Sequence, residues 1–238
     1  MNKVVFLADF FAEDIQGGAE IYDDILISSL RSRGCKVATF RCSEFGVKHL
    51  QLYIKSDFFF IVSNFISLSE QVKKRLEAYP NRYVILEHDH KYLKNRNPAD
   101  FKDFTAPKHF LTNQTFYSSA KTVFCQSSKH KEILQKNLGV SNAISLGCSL
   151  WSKKQLEVIK NCRTDKNNKA FVLNDPNPVK GLAKALSVCK GKNIEYDLVD
   201  KKPYEEFITE LAKYERFVFF PKTLESFCRV ILEARMLG

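Results

Sequence analysis

The sequence predicts an α/β fold built on parallel sheets, and three features predict it. Short β-branched and aromatic runs alternate with helix-period segments along nearly all of the 238 residues, the pattern of successive βαβ units. A glycine pair, Gly17-Gly18, stands between the first such run and its helix. Glycines there let a ligand approach the backbone, and the helix start favours an anion; a Gly pair in a βα loop is equally at home as a simple turn. The alternation also breaks at a polar, helix-poor stretch, NCRTDKNNKA (161–170), and then restarts. This divides the chain into domains at 1–165 and 166–238.

The elements follow in order. KVVFLADF is the first strand, and AEIYDDILISSLRSRG the first helix, with Ile21, Ile25, Leu26 and Leu30 on one face and Gly34 as its stop. CKVATFRC and DFFFIVSNF give the next two strands, SEQVKKRLEAY a helix opened by Ser69, and RYVILEH a fourth strand. SSAKTVFCQSSKHKEILQKNLG adds a strand and a helix capped by Ser127 or Ser128. Beyond the break come the strand AFVLN, the turn DPNP, the helix KGLAKALSVC, the strand IEYDLVD and the helix PYEEFITELAKY. The strand RFVFFP and the helix ESFCRVILEARMLG complete the chain.

Composition narrows the class. Seven cysteines without a close CxxC pair give neither a disulfide framework nor a zinc ribbon and suit a reducing cytoplasm. The start, MNKVVFLADFF, lacks the small-residue cleavage site of a signal peptide, and no apolar run is long enough to span a membrane. The formal charge is +10, and residues 91–163 hold 13 Lys/Arg against 4 Asp/Glu. That region is either a solvated face or the footprint of an anionic partner.

Three stretches carry candidate chemistry. At the end of the fourth strand, His88-Asp89-His90 runs into a basic string with Lys91, Lys94 and Arg96. The run is open to three readings: a metal site with both imidazoles on one strand face, packing at a strand end, or an acid/base group where a doubly wound sheet places its ligands. In the strand-to-helix loop LNDPNPVKG (173–181), Lys180 and Gly181 stand where a helix start faces a diphosphate, although Lys180 could equally be a solvated first-turn residue. Glu225 and Glu233 are eight residues apart, which on one continuous helix separates them by about 80° around the axis and about two turns along it.

FFPKTLESFCRVILEARMLG resembles the E-x7-E signature of the retaining GT-B glycosyltransferases (glycosyltransferase family 4-like), with the preceding strand and proline and the trailing E-A-x-x-x-G. The GGAE loop and the KG helix start occur in that family's order. The resemblance implies two Rossmann-like domains facing across a cleft, the second short or incomplete here. It assigns Glu225 to the donor sugar, Glu233 to the ribose, and Lys180 to the diphosphate, with Gly17, Gly18, Gly181, Ser226 and Phe227 as further donor contacts. The family's arginine about five residues before the lysine is replaced by Asp175. The short second domain implies a fragment, or a reduced enzyme completed by a partner, a homo-oligomer being one form. LEHDHKYLKNR also resembles a stretch of the bacteriophage DNA α-glucosyltransferases, where such a run lies near donor sugar and acceptor hydroxyl.

The expected function is transfer of a sugar, with retention, from a UDP- or GDP-sugar to an acceptor hydroxyl, with no obligatory metal. His88, Asp89, His90 and Glu225 are the catalytic candidates, and Lys91, Lys94 and Arg96 the contacts to an acceptor's phosphates. Modified DNA and a cell-surface glycan are both open as acceptors, and a phage origin with them. Two other classes stand beside it: a catalytically reduced nucleic-acid-binding protein on the same fold, and a metal-dependent hydrolase built on the histidine run.

Overall fold

The computed structural model describes residues 3–162 and 164–238; residues 1 and 2, ahead of the predicted first strand, and position 163 of the polar break lie outside the described residues. The chain forms two compact units, one running to Leu150 and one from Trp151 to Gly238. The division falls ahead of the expected 165. A helix not foreseen in the sequence, Lys153–Asn161, belongs to the second unit, burying Ile159 in the same apolar cluster as Phe171 and Ile208.

The first unit alternates β1 (Lys3–Ala8), α1 (Gly18–Ser32), β2 (Lys36–Arg41), α2 (Val47–Lys55), β3 (Phe59–Val62), α3 (Glu70–Glu77) and β4 (Tyr83–Glu87). It continues with α4 (Gln114–Ser119), β5 (Val123–Cys125), α5 (Ser128–Leu138) and β6 (Ala143–Ser145). The strands pair in parallel in the order β2-β1-β3-β4-β5-β6. Strand β1 is apolar from Val4 to Ala8 because both faces are covered: Val5 and Leu7 join one core cluster, Phe6 and Ala8 the other. Ser69 caps α3 by accepting from the Val72 N–H (3.4 Å), and Ser127 caps α5 by accepting from the His130 N–H (3.1 Å). The inward face of α1 differs from the expected one. Its buried residues are Tyr22, Asp23 and Ile27, so the helix is rolled to place a carboxylate inside.

The second unit comprises α6 (Lys153–Asn161), β7 (Asn167–Leu173), α7 (Leu182–Gly191), β8 (Tyr196–Val199), α8 (Tyr204–Leu211), β9 (Tyr214–Phe217) and α9 (Arg229–Met236). Its sheet is parallel in the order β8-β7-β9. Ser152 and Gln155 form a capping box at the start of α6. Two expectations are corrected here. Strand β9 is YERF and not RFVFFP, since β7 carries it no further than the Phe171–Phe217 register and the Val218 N–H bond to the Phe171 carbonyl (3.0 Å). Helix α9 starts at Arg229, so Glu225 lies in the preceding loop and the two glutamates do not share a helix.

Among the described residues no helix is long and apolar enough to cross a membrane.

Two glycines make the packing testable. Gly181 has φ 71° and a Cβ there would collide with the Phe220 carbonyl, whereas a Cβ on Gly191, in the last turn of α7, meets nothing within 4 Å. Gly191→Ala is expected to stabilise the protein by about 0.4–1 kcal/mol. Gly181→Ala is expected to destabilise it by at least about 1–3 kcal/mol, the cost of the left-handed backbone alone. Urea unfolding of the two variants checks both.

Candidate active site

In an open parallel sheet, ligands bind outside the carboxyl ends of strands where the strand order reverses. In the first unit that point lies between β1 and β3, and Gly17 is the N-cap of α1 beside it. The Glu20 carboxyl folds back against Gly17, where an added Cβ would collide with its Oε2. It accepts from Asn64 Nδ2 at 3.3 Å. Burial pushes the Glu20 carboxyl above its ordinary range, with Asp23 and Asp89 adding to the rise. The helix start expected to receive an anion therefore already faces a carboxyl of its own chain.

Strand β4 ends on Glu87, which is fully buried and saturated with donors. Its Oε1 accepts from the Asp89 N–H (2.9 Å) and Lys91 Nζ (2.9 Å), and its Oε2 from the Tyr117 hydroxyl. Lys91 also reaches Asp89 at 2.6 Å and lies over the Phe65 ring. Burial alone would lower the Lys91 ammonium, but Asp89 and Glu87 outweigh it and hold it above its ordinary range. Lys91 is thus an internal cation. This corrects the expectation that it shares an outward face with Lys94 and Arg96, which are exposed. Arg96, at φ 54°, turns back to bind Asp89 at 3.2 Å.

The chain leaves the strand at Glu87, so the alternation that would set both imidazoles on one face does not apply. His88 faces Asp23 of α1, Nε2 to Oδ1 at 3.2 Å, with the Tyr22 ring edge-on. His90 is buried against the Tyr92 hydroxyl (2.9 Å) and the His130 ring of α5. Asp89 keeps 45% of its side chain exposed. Burial raises its carboxyl, but Lys91, Arg96 and His88 together hold it below the usual range. Among the described residues no group of three His, Cys, Asp or Glu is arranged to hold a metal.

In the second unit the order reverses between β7 and β9, and the loops that follow these strands clasp one another. The Lys222 N–H donates to the Val179 carbonyl (2.8 Å), Lys180 Nζ binds Glu225 at 3.0 Å, and Gly181 packs against the Phe220 carbonyl. The KG and E-S-F stretches are brought together, as their spacing in sequence alone could not require. Asp175 is buried; burial raises its carboxyl, but the Asn177 N–H and Lys201 more than offset this and hold it low.

Glu233 points inward, accepting from Trp151 Nε1 (2.9 Å) and the Tyr204 hydroxyl (3.1 Å), with Arg229 at 3.5 Å. Arg229 stacks over the Trp151 ring, whose edge meets Phe227. Sequence reasoning missed Trp151, Tyr204 and Arg229. The one available signal was the chain's single tryptophan beside the unforeseen α6.

No family model matches the chain, and no curated protein matches it. Solved structures do. The chain is similar to α,α-trehalose 6-phosphate synthase from Burkholderia multivorans (TM-score 0.59, 8% identity, covering 99% of this chain and 81% of that one). It is similar to Anabaena HepE in complex with UDP and glucose (0.55, 14%, 100% and 79%). A third is an α-glucosyltransferase in complex with UDP and a 13-mer DNA containing a HMU base (0.52, 12%, 99% and 77%). These are GT-B glycosyltransferases, and the fold they share with this chain is the Rossmann-like α/β fold of that class.

Two outcomes follow from the buried groups of the first unit. Glu87→Ala leaves the Lys91 ammonium with Asp89 alone and deprives Tyr117 of its acceptor. It is expected to cost about 3–5 kcal/mol in urea unfolding, the range for breaking a buried ion pair. His130, driven well below its ordinary value by burial and then by His90 and Lys91, folds neutral. The unfolded chain binds the proton more readily, so stability is complete above about pH 6.5 and is lost as the pH falls below it. His130→Leu should flatten that decline, measured as melting temperature against pH.

Proposed function

We propose that the protein transfers a sugar from a nucleotide-diphosphate sugar, UDP-linked, to an acceptor hydroxyl with retention at the anomeric carbon. The observation that carries this reading is the clasp of the second unit: Lys180, Gly181 and Glu225, far apart in the chain, meet at the strand-order reversal of its sheet. Solved structures of the same fold that hold UDP support it.

Lys180 and the N-terminus of α7 would place positive potential on the diphosphate as it leaves. Glu225 would exchange Lys180 for hydroxyls of the donor sugar, with Ser226 and Phe227 beside it. Glu233 would have to release Trp151 and Tyr204 to reach a ribose. We assign it the task of fixing α9 and the Trp151 wall. In the first unit Asp89, half-exposed and held ionised, and His88 are the groups for the acceptor hydroxyl, while buried His90 supports them. Gly17 and Gly18 offer backbone to a neutral part of donor or acceptor, since Glu20 occupies the anion position. Lys94 and Arg96 supply the basic edge that would meet an acceptor's phosphates, as in DNA. The second reading, a nucleic-acid-binding protein without turnover, is favoured by one observation, the placing of Asp175 where a diphosphate-binding arginine is expected.

Release of UDP or GDP from a panel of nucleotide sugars, with and without acceptor glycans or hydroxymethylated DNA, tests the assignment. Turnover is expected with a UDP-sugar. Lys180→Ala should lower kcat/KM by roughly 10–100-fold, the loss of one charge-assisted contact. Turnover unaffected by Lys180→Ala, or DNA binding with no turnover of any donor, would contradict it.

A further inference from the structure

Asp175 is a buried carboxylate where the reading above places an anion. It lies two residues beyond β7, with 3% of its side chain exposed, and a carboxylate there repels a diphosphate. Its two oxygens have separate partners. Oδ1 accepts from the Asn177 N–H (2.9 Å) and closes a turn, while Oδ2 faces Lys201 Nζ at 3.0 Å. Asparagine closes such a turn as well as aspartate does, so it is the ion pair, and not the turn, that accounts for the charge. Lys201 comes from beyond β8, which flanks β7 on the side away from β9. The two strand ends are joined there: the Asn174 N–H donates to the Val199 carbonyl (2.8 Å) and Asn174 Nδ2 to Asp200 Oδ1 (2.7 Å). The pair with Asp175 brings Lys201 across to the end of β7. Burial raises the Asp175 carboxyl, but the Asn177 N–H, Lys201 and then Lys180 hold it below its ordinary range, so it stays a fixed anion.

We propose that Lys201 is a second cation for the donor's diphosphate, and that Asp175 is the positioning residue that holds it at the end of β7. This deepens the glycosyl-transfer reading above and rests on it. Lys201 keeps 71% of its side chain exposed, and an ammonium has three donors, so the contact with Asp175 leaves others to turn to an incoming oxygen. A long side chain that free loses much rotamer freedom when a ligand fixes it. Asp175, itself fixed by its turn, restricts Lys201 before the ligand arrives, which lowers the cost of binding. The carboxylate that by itself would repel a diphosphate thus brings a cation to it. Lys180 comes from the loop ahead of α7 and Lys201 from the end of β8, so the diphosphate would meet cations from two separate loops.

Isothermal titration of the full chain with UDP tests this without requiring turnover. Lys201→Ala should weaken UDP by roughly 5–10-fold, the loss of one exposed charge-assisted contact, and Lys201→Arg, which keeps the cation, should weaken it less. Asp175→Asn decides the positioning role by the sign of its effect. It keeps the oxygen that closes the turn and removes a negative charge, so electrostatics alone makes UDP bind more tightly. Loss of the hold on Lys201 should instead weaken UDP by about 3-fold or more. In the Lys201→Ala background the same substitution should cause no further loss. Lys201→Ala within about 2-fold of wild type, or tighter binding by Asp175→Asn, would overturn the proposal. So would an Asp175→Asn loss that persists undiminished in the Lys201→Ala background, since that is the effect of a damaged turn. A wild type that binds no UDP would overturn the transfer reading and this proposal together, whereas UDP binding indifferent to Lys201 would overturn this proposal alone.

Discussion

The buried pair of Glu87 and Lys91 is the interaction on which the candidate site of the first unit depends. Glu87 closes a strand whose five residues are all buried, and a carboxylate there survives only because the backbone N–H of Asp89, the Lys91 ammonium and the Tyr117 hydroxyl all point at it. In satisfying Glu87, the chain must turn sharply after β4. That turn sends His88 toward α1, His90 toward α5, and Asp89 outward. Lys91 bridges Glu87 and Asp89, so the outward carboxylate takes its orientation from the buried pair, while Lys91, Arg96 and His88 hold it below its usual range.

The second unit solves a comparable problem with backbone. Its sheet order, β8-β7-β9, repeats the start of the first sheet, β2-β1-β3, and in each the first strand leads into a glycine-bearing loop at the point of reversal. In the first unit that loop is closed by Glu20 and Asn64; in the second it is closed by Lys180 and Glu225. The signs differ in consequence. The first loop presents a carboxyl with a raised pKa. The second presents a lysine whose partner, Glu225, lies in a loop and is partly exposed. The difference favours the second unit for a diphosphate and the first for neutral hydroxyls.

How far this was readable from the sequence varied with the physical signal. Parallel strands covered on both faces are continuous apolar runs, so β1, β3, β4 and β7 were plain, as were helices opened by Ser69 and Ser127. Short elements without that signal were not: β6 has three residues, and α2 is bounded by glycine and serine, its N-cap glycine having no side chain to mark the start. Lys91 read as one member of a solvated basic string, because nothing local marks a lysine whose carboxylate lies four residues back inside the core. Asp23 was invisible for the opposite reason, as an acidic pair on a helix normally faces water. The E-x7-E spacing was legible but its geometry was not, since the clasp between the two loops delays α9 until Arg229.

The most direct test of the account is hydrogen–deuterium exchange on the intact chain with and without saturating UDP. If the clasp holds the nucleotide diphosphate, amides within residues 176–182 and 222–228 should be protected by UDP, and Lys180→Ala should abolish that protection. Exchange unchanged in both loops at saturating UDP, or protection found only elsewhere, would contradict it.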